Sequence, residues 1–181
     1  MNSSEKPHAG ECLVVVDYQN DFVNGALGFE GAEKLEDGIA EIIGKIRSKG
    51  GDIIFTLDTH DAAYLHTAEG IKLPVPHCIS STLGHELYGK IRSFVQSGDA
   101  VIYKPSFGSG ELFELLKAKN YRKITLVGLV SNICVLSNAV IAKTACPEAD
   151  VIVPAALTAS SDKKLHEEAL DVMRGLQIDV I

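Results

Sequence analysis

Hydrophobic residues along the chain fall into two kinds of segment. Short continuous runs rich in Val and Ile are typical of strands buried on both faces, and they occupy Cys12–Val16, Asp52–Leu57, Ala100–Tyr103, Ile124–Val130, Val151–Val153 and Ile178–Ile181. Longer segments, in which apolar residues recur every three or four positions, predict helices over Glu33–Lys49, Glu111–Lys119, Asn132–Ala145 and Ser161–Arg174. The third of these segments is apolar almost throughout, so we expect that helix to be buried.

Strands that alternate with helices predict a parallel sheet that is covered on both faces. We therefore expect an α/β fold, a doubly wound (Rossmann-like) three-layer α/β/α architecture with a parallel sheet of about six strands. A closed barrel usually needs about 250 residues, more than the 181 present. We predict a single domain over residues 1–181 with flexible residues 1–10, and a functional or mobile loop over His60–Gly84.

Composition and charge narrow the kind of protein further. Apolar residues make up 46% of the chain and charged residues 23%, as in ordinary globular proteins, which excludes a disordered chain. The net charge is −7 without a cluster of Lys and Arg, so no nucleic-acid partner is expected. No apolar run reaches the roughly 18–20 residues of a membrane helix, and the polar first residues lack the apolar core of a secretory signal. These features predict a cytoplasmic protein with no membrane partner.

The cysteine and glycine patterns argue against two other kinds of site. The four cysteines are Cys12, Cys78, Cys134 and Cys146, and they form no Cys-x-x-Cys pair. Without a secretory signal they are expected to be reduced thiols rather than a disulfide framework. No Gly-x-Gly-x-x-Gly follows a predicted strand and opens a helix, so no nucleotide cofactor is expected.

A carboxylate, an ammonium and a thiol follow three of the predicted strands. Asp17 comes directly after the first strand, Lys104 after the third, and Cys134 just beyond the fourth, at the start of the apolar helix. Because the carboxyl ends of parallel strands meet at one edge of a sheet, the three side chains are expected to converge. Taken singly, each has an ordinary structural role, as a turn cap, a solvated strand end and a core residue respectively.

Together these three groups suit acyl transfer from a carbonyl compound. Only the thiolate of a cysteine attacks a carbonyl, and a helix N-terminus or a nearby ammonium lowers the pKa of the thiol. A carboxylate can take the thiol proton and later donate it to a leaving group. Backbone N–H groups at the start of a helix can hold the oxyanion that forms.

A second group of residues has the composition of a metal site. Asp58 follows the second predicted strand, and His60 lies on the same side of an extended segment, because alternate side chains point the same way. His66 and His77 lie in the loop that follows. A carboxylate with imidazoles suits zinc, iron or manganese, although histidines on a surface loop are also common without a metal.

These residues resemble the isochorismatase-like cysteine hydrolases, a family that includes nicotinamidases, isochorismatases and N-carbamoyl amidohydrolases. The resemblance covers about residues 11–175 and is carried by Val15-Val16-Asp17-Tyr18-Gln19-Asn20-Asp21-Phe22, Lys104 and Gly128-Leu129-Val130-Ser131-Asn132-Ile133-Cys134-Val135. It implies the same doubly wound fold that the hydrophobic pattern predicts.

The resemblance also implies a role for each of these residues. Asp17 is expected to be the general acid and base, Lys104 to stabilise the thiolate, and Cys134 to be the nucleophile. A cis peptide bond is implied between Leu129 and Val130, and an oxyanion hole at the N–H groups of Val130 and Cys134. The substrate-binding residues implied are Phe22, Leu129 and Val130.

The metal residues indicate one branch of the family. Nicotinamidases carry Asp-x-His and a later His, which bind a divalent metal ion that contacts the ring nitrogen of the substrate. Asp58, His60 and His77 match this pattern, and His66 matches a further ligand found in some members. The resemblance therefore implies a nicotinamidase-like amide hydrolase, which converts nicotinamide and water to nicotinate and ammonia through a thioester. It also implies bound zinc, iron or manganese and a homo-oligomer (dimer or tetramer).

Two alternatives stay open from the sequence. Nicotinamidases often have Trp-Pro-x-His-Cys, whereas this chain has no Trp and reads Pro74-Val75-Pro76-His77-Cys78. A related hydrolase of another small amide, ureido or vinyl-ether substrate is therefore the first alternative. The second is a non-catalytic binding module on the same fold, against which the presence of Asp17, Lys104 and Cys134 argues.

Overall fold

The computed structural model describes residues 9–181. Its strands are β1 (Ala9–Val16), β2 (Asp52–Asp58), β3 (Ala100–Lys104), β4 (Tyr121–Leu129), β5 (Asp150–Val153), β6 (Thr158–Ala159) and β7 (Asp179–Val180). Its α-helices are α1 (Asn20–Val23), α2 (Leu35–Ser48), α3 (Ala68–Lys72), α4 (Gly110–Lys119), α5 (Leu136–Ala145) and α6 (Lys163–Gly175). Within this part of the chain, no helix has the length and apolar character needed to cross a membrane. The prediction of flexible residues 1–10 lies outside the described residues up to residue 8, and residues 9 and 10 begin β1.

The sheet is parallel throughout its described strands and confirms the doubly wound prediction. Its order is β3-β2-β1-β4-β5-β7, with β6 also paired to β4. The prediction of about six strands missed β6, because Thr158 and Ala159 do not belong to a run rich in Val and Ile. The strand order reverses between β1 and β4, and ligands of such sheets bind beyond the carboxyl ends of the strands at this switch point.

Alternate side chains of the central strands fill a hydrophobic core on each face of the sheet. On one face, Leu13 and Val15 of β1 pack with α2, whose buried residues include Ile39 and Ile43. On the other face, Val14 packs within a cluster that takes in buried residues of α4, α5 and α6, namely Leu112, Leu116, Ala139, Ala142, Leu170 and Met173. The helices therefore form the two outer layers of a three-layer structure.

The segment predicted as one buried helix, Asn132–Ala145, differs from the structure in two ways. Its beginning, Ser131–Val135, is a π-helical turn, and α5 starts only at Leu136. Ile133 and Val140 are 37% and 39% exposed, because only one face of the helix can rest on the sheet. Turns of the π type are rare and occur mostly at functional sites.

Gly128 permits a close approach between β4 and β1. It pairs with Val16 in the register of the two strands and has a φ of +113°. A Cβ at this position would meet the carbonyl oxygen of Val16 at 2.0 Å. Glycine is therefore required where β4 leads toward the turn that carries Cys134, since glycine alone adopts this conformation without steric cost.

We expect Gly128→Ala to lower the free energy of unfolding by more than about 2 kcal/mol, because it combines a backbone clash with a strained φ. Urea denaturation followed by circular dichroism measures the change. Gly44→Ala in α2 is the matched control, since nothing lies within 4 Å of the Cβ that it would add and alanine stabilises a helix interior by about 1 kcal/mol over glycine. Unchanged stability of Gly128→Ala would contradict this account.

Candidate active site

A turn directly after β1 places Asp17 at the carboxyl edge of the sheet. Asp17 has a φ of +45°, and its N–H donates to the carbonyl of Thr56 over 3.0 Å. The side chain is fully buried, and its Oδ1 accepts a 2.7 Å hydrogen bond from Thr56 Oγ1. Both the backbone and one carboxylate oxygen of Asp17 are thus held by β2.

The ammonium of Lys104, the last residue of β3, joins the predicted catalytic groups. Its Nζ lies 2.6 Å from Asp17 Oδ2 and 3.6 Å from Cys134 Sγ. It also lies 3.5 Å from Asp58 Oδ1 and donates to the carbonyl of Ser106 over 3.0 Å. Because Lys104 is only 1% exposed, these groups take the place of water around its charge.

Cys134 lies within the π-helical turn Ser131–Val135. The Leu129–Val130 peptide bond before this turn is cis, as the family resemblance implies. The carbonyl of Val130 accepts two N–H hydrogen bonds from within the turn, and Asn138 Nδ2 donates to the carbonyl of Cys134 over 2.8 Å. These hydrogen bonds fix the turn, and with it the thiol, relative to β4 and α5.

The charges around the thiol act in opposite directions. Burial raises the pKa of Cys134, and the negative charge of Asp17 raises it further, whereas the positive charge of Lys104 lowers it. Burial also raises the pKa of Asp17, against the lowering effect of Lys104. Burial by itself would lower the pKa of Lys104, but the negatively charged groups around it, among which Asp17 acts most strongly, outweigh burial and raise that pKa. In the free protein at neutral pH, Cys134 is therefore a protonated thiol beside a charged lysine.

Three of the predicted metal ligands lie together at the end of β2 and in the loop that follows. Asp58 Oδ2 is 2.9 Å from His60 Nε2 and 3.3 Å from His77 Nε2, and one ligand atom from each residue lies within 4.8 Å of the others. His77 Nδ1 lies 2.8 Å from the carbonyl oxygen of Val75. This contact orients the ring so that Nε2 of His77 faces Asp58. Burial opposes ionisation of Asp58, but hydrogen bonds from the two histidines outweigh it and lower its pKa.

The further ligand implied by the resemblance, His66, lies elsewhere, and Glu69 lies beside the group instead. His66 is exposed and is not part of the cluster of ligand atoms, whereas Glu69 Oε1 is 3.7 Å from His77 Nε2. A 3₁₀ turn, Tyr64–His66, precedes α3, which carries Glu69 on the side that faces His77. A single Glu in an irregular segment has no spacing signal, so the sequence did not single out Glu69.

A cavity of about 170 Å³ opens beside the thiol. Its lining consists of Phe22, Leu27, Phe29, Asp58, Glu69, Leu73, His77, Phe107, Val130, Ile133, Cys134 and Ser161. Two of the predicted substrate-binding residues, Phe22 and Val130, are therefore at the cavity. The prediction for Leu129 is not supported, because its side chain is fully buried in the core on the α2 face of the sheet.

The lining suits a small and uncharged ligand. Drug-sized ligands occupy cavities of about 300–1,000 Å³, whereas this one measures about 170 Å³. Most of its lining side chains are apolar, and none of those described is Lys or Arg. The polar lining groups are the thiol, the two carboxylates, His77 and Ser161, and all of these but Ser161 belong to the predicted catalytic group or lie in or beside the metal group.

Comparison with known proteins agrees with this geometry. A family model described as "Isochorismatase domain" matches residues 11–181. The chain belongs to the isochorismatase family. The family predicted from the sequence is thereby confirmed, and the protein is an isochorismatase-family hydrolase.

Relatives of this isochorismatase-family hydrolase include proteins named as nicotinamidases. The uncharacterized isochorismatase family protein PncA of Bacillus subtilis is 29% identical over an alignment of 141 residues, with 72% of this chain and 76% of the relative covered. The crystal structure of nicotinamidase PncA from Bacillus subtilis is 28% identical, with 94% of this chain and 98% of that chain covered and a TM-score of 0.83. The pyrazinamidase/nicotinamidase of Streptococcus mutans is 27% identical, with 94% and 99% covered and a TM-score of 0.84. The pyrazinamidase of Pyrococcus horikoshii, solved in complex with zinc, shares the fold at 23% identity, with 94% and 98% covered and a TM-score of 0.82.

We expect opposite changes in the reactivity of Cys134 when its two charged neighbours are neutralised. Lys104→Met removes a charge that lowers the pKa of the thiol, so alkylation by iodoacetamide at pH 7 should slow. Asp17→Asn removes a charge that raises this pKa, so alkylation should become faster. Mass spectrometry of the alkylated protein over a range of pH measures both rates. Cys146, whose pKa neither charge affects, is the internal control; a change of the same sign in both variants would refute the electrostatic account.

Proposed function

We propose that the protein is a cysteine-dependent amide hydrolase of the nicotinamidase type, which converts nicotinamide and water to nicotinate and ammonia. The observation that carries this proposal is the buried ammonium of Lys104, 2.6 Å from Asp17 Oδ2 and 3.6 Å from Cys134 Sγ at an apolar cavity. A nucleophile, a group that stabilises its thiolate and an acid–base carboxylate are what covalent amide hydrolysis requires. The similarity to the nicotinamidases of Bacillus subtilis and Streptococcus mutans supports the choice of substrate.

In the first half of the reaction, Asp17 accepts the proton of Cys134, and the thiolate attacks the amide carbon of the substrate. Because the pKa of the free thiol is raised, proton transfer to a nearby base must accompany the attack. Asp17 suits this role, since burial raises its pKa too. Lys104 stabilises the thiolate, and the N–H groups of Val130 and Cys134 hold the oxyanion, where each donor contributes about 2.7–4 kcal/mol.

In the second half, Asp17 gives the proton to the amide nitrogen while the carbon–nitrogen bond breaks. Ammonia leaves, and the acyl group stays on Cys134 as a thioester. Asp17 then accepts a proton from a water molecule, whose oxygen attacks the thioester carbon. The carbon–sulfur bond breaks, Cys134 regains a proton from Asp17, and the carboxylic acid product is released. A single buried carboxyl group therefore serves as base and acid in turn.

We further propose a divalent metal ion at Asp58, His60 and His77, with Glu69 as a candidate fourth ligand. One carboxylate and two imidazoles with ligand atoms within 4.8 Å of one another fit zinc, iron or manganese. The zinc complex of the Pyrococcus horikoshii pyrazinamidase, which has the same fold, supports zinc among these. When bound, the ion would supply a Lewis-acid contact to a ring nitrogen of the substrate.

The cavity lining favours nicotinamide over substrates that carry a carboxylate. A carboxylate in this cavity would have no lining Lys or Arg to pair with, and an unpaired charge is costly to bury away from water. A neutral aromatic amide has no such penalty, and its ring can pack against Phe22 and Phe107. A non-catalytic binding module would gain nothing from a lysine buried at the cost of desolvation beside a thiol.

The wider setting of the enzyme stays a prediction. We propose a single domain over residues 1–181 that acts in the cytoplasm on a small molecule, without a nucleic-acid or membrane partner. The net charge of −7 supports the absence of a nucleic-acid partner. Assembly into a homo-oligomer rests on the family resemblance alone.

Cys134→Ala should abolish ammonia release from nicotinamide, a loss of at least about 10⁴-fold, because no other group can form the thioester. A coupled ammonia assay measures the rate, and circular dichroism checks that the fold is retained. Cys146→Ala is the matched control. It removes another buried thiol, which lies away from the cavity, and this variant should keep the activity of the parent protein. Ammonia release by Cys134→Ala at the original rate would refute the proposed nucleophile.

Removal of metal with a chelator should slow the hydrolysis of nicotinamide and pyrazinamide at least about tenfold, and zinc, iron or manganese should restore it. An N-carbamoyl amino acid, which carries a carboxylate, should be a poor substrate throughout. Ammonia release and metal content are measured on the same samples. Faster hydrolysis of the N-carbamoyl compound than of nicotinamide would favour the first alternative, a related hydrolase of another small substrate, and contradict the substrate assignment.

A further inference from the structure

Gln19, two residues after Asp17, is a fully buried amide that clamps the backbone of Asp58. Its Nε2 donates to the carbonyl of Asp58 over 2.9 Å and to the carbonyl of His85 over 2.8 Å. Its Oε1 accepts from the N–H of Asp58 over 2.8 Å. Because Gln19 is 0% exposed, each of these polar groups depends on the others rather than on water.

The side chain of Gln19 makes the hydrogen bonds to Asp58 that the backbone of a neighbouring strand would otherwise make. β1 and β2 pair in register as far as Thr56, and the turn at Asp17 then leads the chain of β1 away. Asp58 still has β3 on its other side, where it pairs with Lys104. On the β1 side, the carboxamide of Gln19 offers one donor and one acceptor, as a peptide group does, and satisfies both backbone groups of Asp58.

Asp58 is the residue at which the metal group meets the catalytic ammonium. Its Oδ1 lies 3.5 Å from Lys104 Nζ. Its Oδ2 lies 2.9 Å from His60 Nε2 and 3.3 Å from His77 Nε2. Any movement of the Asp58 backbone would therefore alter both contacts together.

We propose that Gln19 is a positioning residue that holds Asp58 in the geometry required for metal binding. This inference rests on the metal site proposed above. The two residues that follow Gln19 also make hydrogen bonds to the loop His60–Gly84, called here the ligand loop because it carries His60 and His77, but none of these hydrogen bonds goes to Asp58. Asp21 Oδ2 accepts a 2.7 Å hydrogen bond from the N–H of Cys78, which follows His77, and Asn20 Nδ2 donates to the carbonyl of Leu83 over 2.7 Å. Gln19 acts on the ligand Asp58 itself.

The test is Gln19→Met, which keeps the length of the side chain and removes its amide. Zinc affinity of the full chain, measured by competition with a chromophoric chelator, should fall about 10- to 100-fold, as it does when the outer partners of metal ligands are lost. Thermal unfolding of the metal-free protein, measured alongside, reports any general loss of stability. Iodoacetamide alkylation of Cys134 shows whether the catalytic groups remain in place.

Two control variants separate positioning from stability. Asn138→Leu removes another fully buried amide, whose hydrogen bonds go to Phe107, Ser109 and Cys134 and not to the metal group. It should lower stability while zinc affinity stays the same. Asn20→Ala removes the hydrogen bond to Leu83 in the ligand loop and should change zinc affinity by less than about twofold.

Each outcome decides the proposal. Unchanged zinc affinity in Gln19→Met would overturn it, and so would an equal loss in Asn138→Leu. If Gln19→Met does not fold, Gln19→Glu keeps the acceptor for the Asp58 N–H and loses both donated hydrogen bonds, and an unchanged affinity in that variant would overturn it. A parent protein that binds none of zinc, iron and manganese refutes the metal site and the role of Gln19 together, whereas ammonia release that depends on Cys134 tests the catalytic proposal separately.

Discussion

A lysine charge buried inside the fold is the constraint on which the rest of the site depends. Lys104 is 1% exposed, and an ammonium at such depth keeps its proton only if anionic or polar groups replace water around it. Asp17 at 2.6 Å, Asp58 at 3.5 Å and Cys134 at 3.6 Å meet this need. These groups come from the ends of β1 and β2 and from the turn after β4. The convergence of these strand ends at the switch point therefore supplies the groups that compensate the charge of Lys104.

This compensation also determines the resting state of the nucleophile. Burial and then the negative charge of Asp17 raise the pKa of Cys134, and together they outweigh the lowering effect of Lys104. A protonated, buried thiol is a poor target for oxidants and alkylating agents. In the proposed reaction, the thiolate forms when Asp17 accepts the proton, and the same carboxyl group then protonates the leaving nitrogen.

The sequence predicted those features that follow from strand ends, and it missed those that follow from irregular backbone. Asp17, Lys104 and Asp58 were predictable because parallel strands of similar length bring their carboxyl ends to one edge. The positions of His66 and Glu69 were not, because a 3₁₀ turn and the five-residue α3 decide which of them faces His77. The side chain of Leu129 lies in the core and not among the residues that line the cavity, and motif spacing does not distinguish these two positions.

Two buried amides explain how the edge of a sheet can be rigid where its own hydrogen bonds end. Gln19 satisfies the backbone of Asp58, and Asn138 joins the turn of Cys134 to the loop after β3 through the carbonyl of Phe107. Neither Gln19 nor Asn138 lines the cavity, whose lining is mostly apolar. Both therefore hold the charged and nucleophilic groups through contacts outside the cavity. The apolar contacts to a ligand in the cavity can therefore change without disturbing the charges. For this reason a chain without tryptophan can still bring together the same carboxylate, ammonium and thiol.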